Sequence, residues 1–248
     1  IRRLLAARER EVAVKDGFGR NEVNELGARV GHTLILDAWL CRPRGPYAGR
    51  MPDEKETLRL TLERQREALL WKLDGLSERD LRWPLTPTGT NLLGIVKHVA
   101  SVELGYLGDV FGRPSGIPTP WLDDESPVNA DMWATVDQSS AEIIQLYRDA
   151  GTHSEATIAA LELDAVGFVP WWSPETQQVT LHQILVHMIA ETARHLGHAD
   201  IIRELTDGAV GLRETSTNLP NLGAVGLATY RRQLAEVAEQ ATGPGTLG

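Results

Sequence analysis

Apolar residues in this chain recur mostly at helical spacing, and runs that alternate apolar with polar, as half-buried strands require, are few. From Met51 onward the pattern predicts four long helices. The first starts at Asp53 with Glu56 in the reciprocal capping position, carries Leu58, Leu62, Leu69, Leu70 and Leu73, and stops at Gly75. After Trp83-Pro84 and Thr86-Pro87, the second starts at Thr90 or Asn91 and runs to Phe111. It is apolar nearly all round, through Leu92, Leu93, Ile95, Val96, Val99, Val102, Leu104 and Leu107, so it is expected to be buried. The third opens on Ser139 and Glu142 in capping-box spacing and continues through Ile143, Leu146, Tyr147, Ile158 and Leu161, with a bend expected at Gly151. The fourth opens on Thr180 with Gln183 and ends at Asp207-Gly208; a weaker amphipathic helix follows from Leu227 to Ala238.

The connections are long. Residues 112–137 hold Pro114, Pro118, Pro120 and Pro127 with Trp121 and Trp133, and a second loop reads Pro170-Trp171-Trp172-Ser173-Pro174. Loops of this kind often cover a site, and these predict an all-α four-helix bundle with long connecting loops and a short C-terminal helix.

Composition sharpens this picture. Residues 1–50 hold ten basic and six acidic side chains, whereas the remaining residues hold 15 and 28, and the shift coincides with the turn-rich Arg42-Pro43-Arg44-Gly45-Pro46 stretch. The expected division is an N-terminal extension over 1–50, poorly ordered or foreign to the native protein, and a bundle domain with its tail over 51–248. An ordinary extension with one short helix is the alternative. The net charge of −9 disfavours phosphate backbones and anionic lipid, and the lone Cys41 allows neither an internal disulfide nor a Cys-rich metal motif. No apolar run reaches the roughly 18–20 residues of a membrane helix, and no secretory signal pattern opens the chain, so no nucleic acid, no membrane and a cytoplasmic location are expected.

Candidate chemistry concentrates on the fourth helix. Four of the seven histidines, His182, His187, His195 and His198, fall within 17 residues of it. At about 100° per residue, Ile184, Met188, Ile202 and Leu205 define a core-facing stripe that includes Glu191 and His195. His187 and His198 lie at its edge, and His182 points away. An ionised Glu in a bundle core costs several kcal/mol unless paired or bound to a cation. The i,i+4 pair Glu191 and His195 can grip one ion from one helix, and His98, the one histidine of the greasy second helix, can supply a third ligand if the two helices pack together. Such a His₂Glu set leaves a position open for water or substrate. The competing reading is a hydrogen-bonded core histidine at 98 and a Glu191 paired with Arg194 or another arginine. His198-Ala199-Asp200 and Arg203-Glu204 read as ordinary polar-face residues. Trp121, Trp133, Trp171 and Trp172 either wall a pocket or close the end of the core. A phosphate-cradling loop, a Gly-x-Ser-x-Gly elbow and a His-Glu-x-x-His motif are all missing.

The run Leu92-Leu93-Gly94-Ile95-Val96-Lys97-His98, the Pro170-Trp171-Trp172 loop and the segment from His187 to Asp200 resemble the DinB/YfiT-like superfamily, in particular its actinobacterial mini-circle type proteins. The resemblance covers Met51 to Gly211. It implies a four-helix bundle carrying a divalent metal, zinc or nickel, on one second-helix histidine and two fourth-helix ligands, which fall here on His98, Glu191 and His195. Many members have two histidines on the fourth helix; the His-Glu-His pattern here is similar to that of mycothiol-dependent maleylpyruvate isomerase. The implied activity is a metal-assisted reaction of a low-molecular-weight thiol such as mycothiol with a small electrophilic substrate, as S-transferase or isomerase. Trp171, Trp172 and Arg194 are then candidates for contacting the thiol, and a homodimer is compatible with the family. A hydrolase using activated water and a non-catalytic metal- or ligand-binding stress protein are the alternatives.

Overall fold

A computed structural model describes residues 51–217 and 219–241, which fall into two units. The extension expected over 1–50 lies outside the described residues. In the first unit the chain runs through α1 (Glu54–Trp71), α2 (Glu78–Arg82), α3 (Leu92–Leu107), α4 (Ser140–Ala160), the strands β1 (Val166–Phe168) and β2 (Gln178–Thr180), and α5 (Leu181–Asp207). The second unit contributes α6 (Gly223–Gln240), which has no buried residue. The all-α bundle expected from the periodicity is the architecture found.

Local chemistry sets the helix ends. Asp53 accepts from the Glu56 amide at the start of α1, and Asn91 accepts from the Gly94 amide at the start of α3. Full capping boxes open α4 (Ser139 with Glu142) and α5 (Thr180 with Gln183). Each cap satisfies amide donors that the helix leaves free and contributes about 1 kcal/mol. Gly208, at φ 81°, closes α5 in the left-handed conformation that glycine adopts at little cost.

The central helix is α3, which packs against both α4 and α5, while α1 covers α5 and α4. Its apolar circumference is buried as expected, with Leu92, Leu93, Ile95, Val96, Val99 and Leu107 fully enclosed. One core cluster joins Leu69, Ile95, Val99, Tyr147 and Ile202, and a second joins Leu62, Leu107, Ile158, Ile184 and Met188.

Several expectations are corrected. The second long helix ends at Leu107, and Asp109–Phe111 is a separate 3₁₀ turn after Gly108. α4 runs uninterrupted through Gly151, which is buried beside the aliphatic stem of Arg66. Leu205 is not in the core: it is 67% exposed, on the face of α5 away from the buried Ile202 and Arg203. Arg203, taken for a surface residue, is buried. Its Nη1 donates to the carbonyls of Trp71, Lys72 and Asp74 at 3.4, 2.9 and 2.9 Å, so it serves as the C-terminal cap of α1, and the rest of its fork grips Asp207. Asp200 likewise pairs with the wholly buried Lys72 at 2.5 Å. Finally, the loop between α4 and α5 contains a short antiparallel pair, Val166 opposite Thr180, that returns the chain to the start of α5.

Candidate metal centre and its cavity

Side by side on α3 and α5, His98, Glu191 and His195 bring their donor atoms within 4.8 Å of one another. Glu191 Oε1 lies 3.4 Å from His98 Nε2 and 3.1 Å from His195 Nε2, and the two imidazole rings stand 4.8 Å apart. Helical spacing explains half of this, since Glu191 and His195 are one turn apart. The packing of α3 on α5 supplies the rest. Glu191 makes no contact with Arg194, which is exposed on the same helix.

A fourth residue belongs to the cluster. Asp131 Oδ2 sits 2.6 Å from His98 Nδ1, so the imidazole is held from one side by a carboxylate while its other nitrogen faces Glu191. Asp131 lies on a 3₁₀ turn, Ala130–Met132, pressed against the start of α3. Gly94 makes that approach possible: a Cβ there would lie 1.8 Å from the Met132 carbonyl oxygen. The turn is held by Asn91, whose side-chain amide donates to the Met132 carbonyl at 3.2 Å, and by Lys97, whose ammonium donates to the carbonyls of Ala130 and Trp133 at 2.7 and 2.9 Å. Burial pushes the Lys97 ammonium down and Asp131 pulls it up.

The protonation pattern follows from these neighbours. Burial pushes the Glu191 carboxyl up, but His195 and His98 outweigh it and hold the group below the usual carboxylate range. Burial, then the neighbouring His98, pushes the His195 imidazole below its ordinary value, against the pull of Glu191. An ionised carboxylate beside a neutral imidazole is the state in which such groups can ligate a cation. For ligand bonds of roughly 2.0–2.1 Å, a tetrahedral ion needs donors about 3.3 Å apart, and both contacts of Glu191 are close to that; the widest separation is looser. His195 Nδ1, the ring nitrogen on the far side from Glu191, is buried with no hydrogen-bond partner among the described residues. The donor set therefore fits a divalent cation in chemistry and in charge.

The cluster opens into a cavity of about 590 Å³, into which His98, Glu191, His187, Tyr106, Trp171 and Leu122 project. Trp171 and Trp172 come from the loop between the strands, and both indoles donate to the Tyr106 hydroxyl, at 3.1 and 2.8 Å. Trp172 also packs its ring against His187. Trp121 instead packs on the core and donates to Ser101 at 2.8 Å, and Trp133 is half-exposed. Arg194 is not part of the cavity lining. His198 is exposed with its ring 5.5 Å from that of His195, and His182 pairs with Glu54 at the outer surface.

Comparison with known proteins places this architecture. Residues 57–208 match the mycothiol-S-transferase family. The chain belongs to that family. A crystal structure of a conserved protein from Enterococcus faecalis has the same fold, with a TM-score of 0.51 at 16% identity, over 64% of this chain and 100% of that one. No curated protein matches the chain. Family membership makes the protein mycothiol-related, and no described helix is long and apolar enough to cross a membrane.

Neither Asp131 nor Tyr106 stands out in the sequence. Asp131 sits in a Pro- and Asn-punctuated stretch with no periodicity, and Tyr106 reads as one more large side chain on a buried helix. A local hint is Gly94 near the start of a largely apolar helix, which marks a close backbone approach.

Proposed function

We propose that the protein is a metal-dependent, thiol-using S-transferase in which His98, Glu191 and His195 hold a divalent ion, zinc foremost with nickel as the second choice, at the floor of the cavity. The observation that carries this reading is the convergence of two imidazoles and one carboxylate from two helices at the edge of a space large enough for a small-molecule ligand. When bound, such an ion lowers the pKa of a coordinated thiol and so makes the sulfur a nucleophile at neutral pH.

The protein's own residues do the rest. Glu191, kept ionised, offsets cationic charge. Asp131 accepts from His98 Nδ1–H and so leaves Nε2 as the free donor, which fixes the tautomer the site needs. His195 is kept neutral by burial, available as a base donor rather than a competing cation. Trp171 and Leu122 present an apolar surface to the electrophile. In the transfer, a carbon–sulfur bond forms at the electrophilic carbon, and the displaced electron pair leaves with the departing group or, in an addition, moves onto the conjugated acceptor. The thiol is mycothiol or a close relative, as the family suggests. The described residues offer no substitute, since none of them is a cysteine.

Elemental analysis of freshly purified protein should find close to one divalent ion per chain. In cobalt-substituted protein, added mycothiol should shift the visible absorption bands. An unchanged spectrum at saturating thiol would remove the thiol-dependent reading while leaving the metal centre intact.

A further inference from the structure

We infer that the Tyr106 hydroxyl is the donor that orients a neutral carbonyl oxygen of the electrophile in the cavity. The inference rests on the S-transferase reading for the word electrophile, but the hydrogen-bond accounting stands by itself. A phenol oxygen has one proton to give and limited capacity to accept. In this protein that acceptor capacity is spent, because the indole N–H groups of Trp171 and Trp172 both end on it, at 3.1 and 2.8 Å. The proton is not spent: among the described residues no acceptor takes the Tyr106 O–H. The neighbouring His187 packs against Tyr106 ring to ring, with centroids 4.6 Å apart, and does not accept from it.

Tyr106 is 8% exposed and projects into the same cavity as His98 and Glu191. Buried donors are normally paired, so a donor held rigid by two indoles and aimed into a cavity is a group that a ligand completes.

The lining limits what that ligand is. Asp109 and Glu191 contribute carboxylates and no Lys or Arg lines the space, so the side chains there offer an anionic oxygen no cationic partner. The apolar part of the lining is Val102, Gly105, Leu122 and Trp171, with a ring carbon of Trp171 only 3.6 Å from where a Gly105 Cβ would stand, and Ser101 and His187 line the same space. One carbonyl on an apolar frame fits: the oxygen meets the Tyr106 donor and the frame lies on the indole.

The test uses N-ethylsuccinimide, an unreactive neutral imide, titrated by ligand-observed NMR against the full-length protein as purified and again after chelator treatment, so that loss of metal or failure of thiol transfer leaves the readout intact. Binding should be seen in both preparations. Tyr106→Phe should weaken it about three- to tenfold, the effect of losing one neutral hydrogen bond. Toluene, which has no acceptor, should bind Tyr106→Phe and the unaltered protein alike. Trp172→Phe disturbs the same aromatic set but keeps the O–H, and imide affinity should stay within about twofold. Equal affinity in Tyr106→Phe and the unaltered protein, no imide binding at all, or equal losses in Tyr106→Phe and Trp172→Phe would each overturn the assignment.

Discussion

Arg66 and Glu103 form an ion pair in the interior of this bundle, and His98, Glu191 and His195 form a charged cluster at its edge; the two are built on opposite terms. Glu103 is fully enclosed, and its oxygens are met by Arg66 Nη2 and Nε at 2.5 and 3.2 Å, while Arg66 Nη1 reaches Glu155 at 2.6 Å. Each carboxylate oxygen of Glu103 has its own guanidinium partner and the pair faces no opening. Glu191, by contrast, shares one oxygen between two imidazoles at longer range and faces a cavity. A closed, saturated pair welds helices together. An open, under-saturated cluster is waiting for a further charge. Buried charge alone does not mark a function; the unspent hydrogen-bonding and ligating capacity does.

The sharpest way to break the contrast is to cut the closed pair. Arg66→Met should cost about 3–5 kcal/mol in urea unfolding, because it strands the enclosed Glu103 carboxylate. If it costs less than about 1 kcal/mol, the two clusters do not differ in the way described. The open cluster should behave inversely. Glu191→Ala should abolish metal retention in elemental analysis, yet leave the thermal midpoint of the metal-free protein within about 3 °C of the unaltered chain, equivalent to under about 1 kcal/mol. A midpoint that collapses with the same change would make Glu191 a structural residue.

Asp131 should fall between these extremes. Asp131→Ala frees His98 Nδ1 without touching a donor atom, and metal affinity in a competition titration with a colorimetric chelator should fall about 10- to 100-fold. The smallest effect belongs to Asp207, which is held below the usual carboxylate range by the Arg203 hydrogen bond, against some burial, with help from the Ala209 amide. A folded-state pKa below the unfolded one contributes stability above the unfolded value that is lost as pH falls through the folded one. Asp207→Asn should therefore lower stability at pH 7 by well under about 1 kcal/mol, as solvent screening of a partly exposed pair implies, and the difference should shrink in unfolding curves as pH falls from the unfolded carboxylate range through the lowered folded value.

What was legible in the sequence was local. The caps at Asp53, Ser139, Thr180 and Gly208 are written within four residues of the backbone groups they satisfy, and the apolar circumference of α3 announces its burial, so the four long helices, their order and most boundaries followed from short-range rules, whereas the short α2 did not. Glu191 with His195 was legible for the same reason, being one turn of one helix. His98 became a partner only through the packing of α3 on α5, a contact spanning 93 residues that periodicity permits but does not select. Asp131 reaches His98 because Gly94 lets a turn settle on a helix, Arg203 caps a helix that ended more than 120 residues earlier, and Tyr106 meets two indoles from a distant loop. None of these leaves a periodic trace, since each depends on where side chains separated along the chain converge after folding. Backbone hydrogen bonding and side-chain periodicity determined the helices; the close packing of those helices decided which polar groups share a cavity and which are left with a hydrogen bond or a ligand bond still to make.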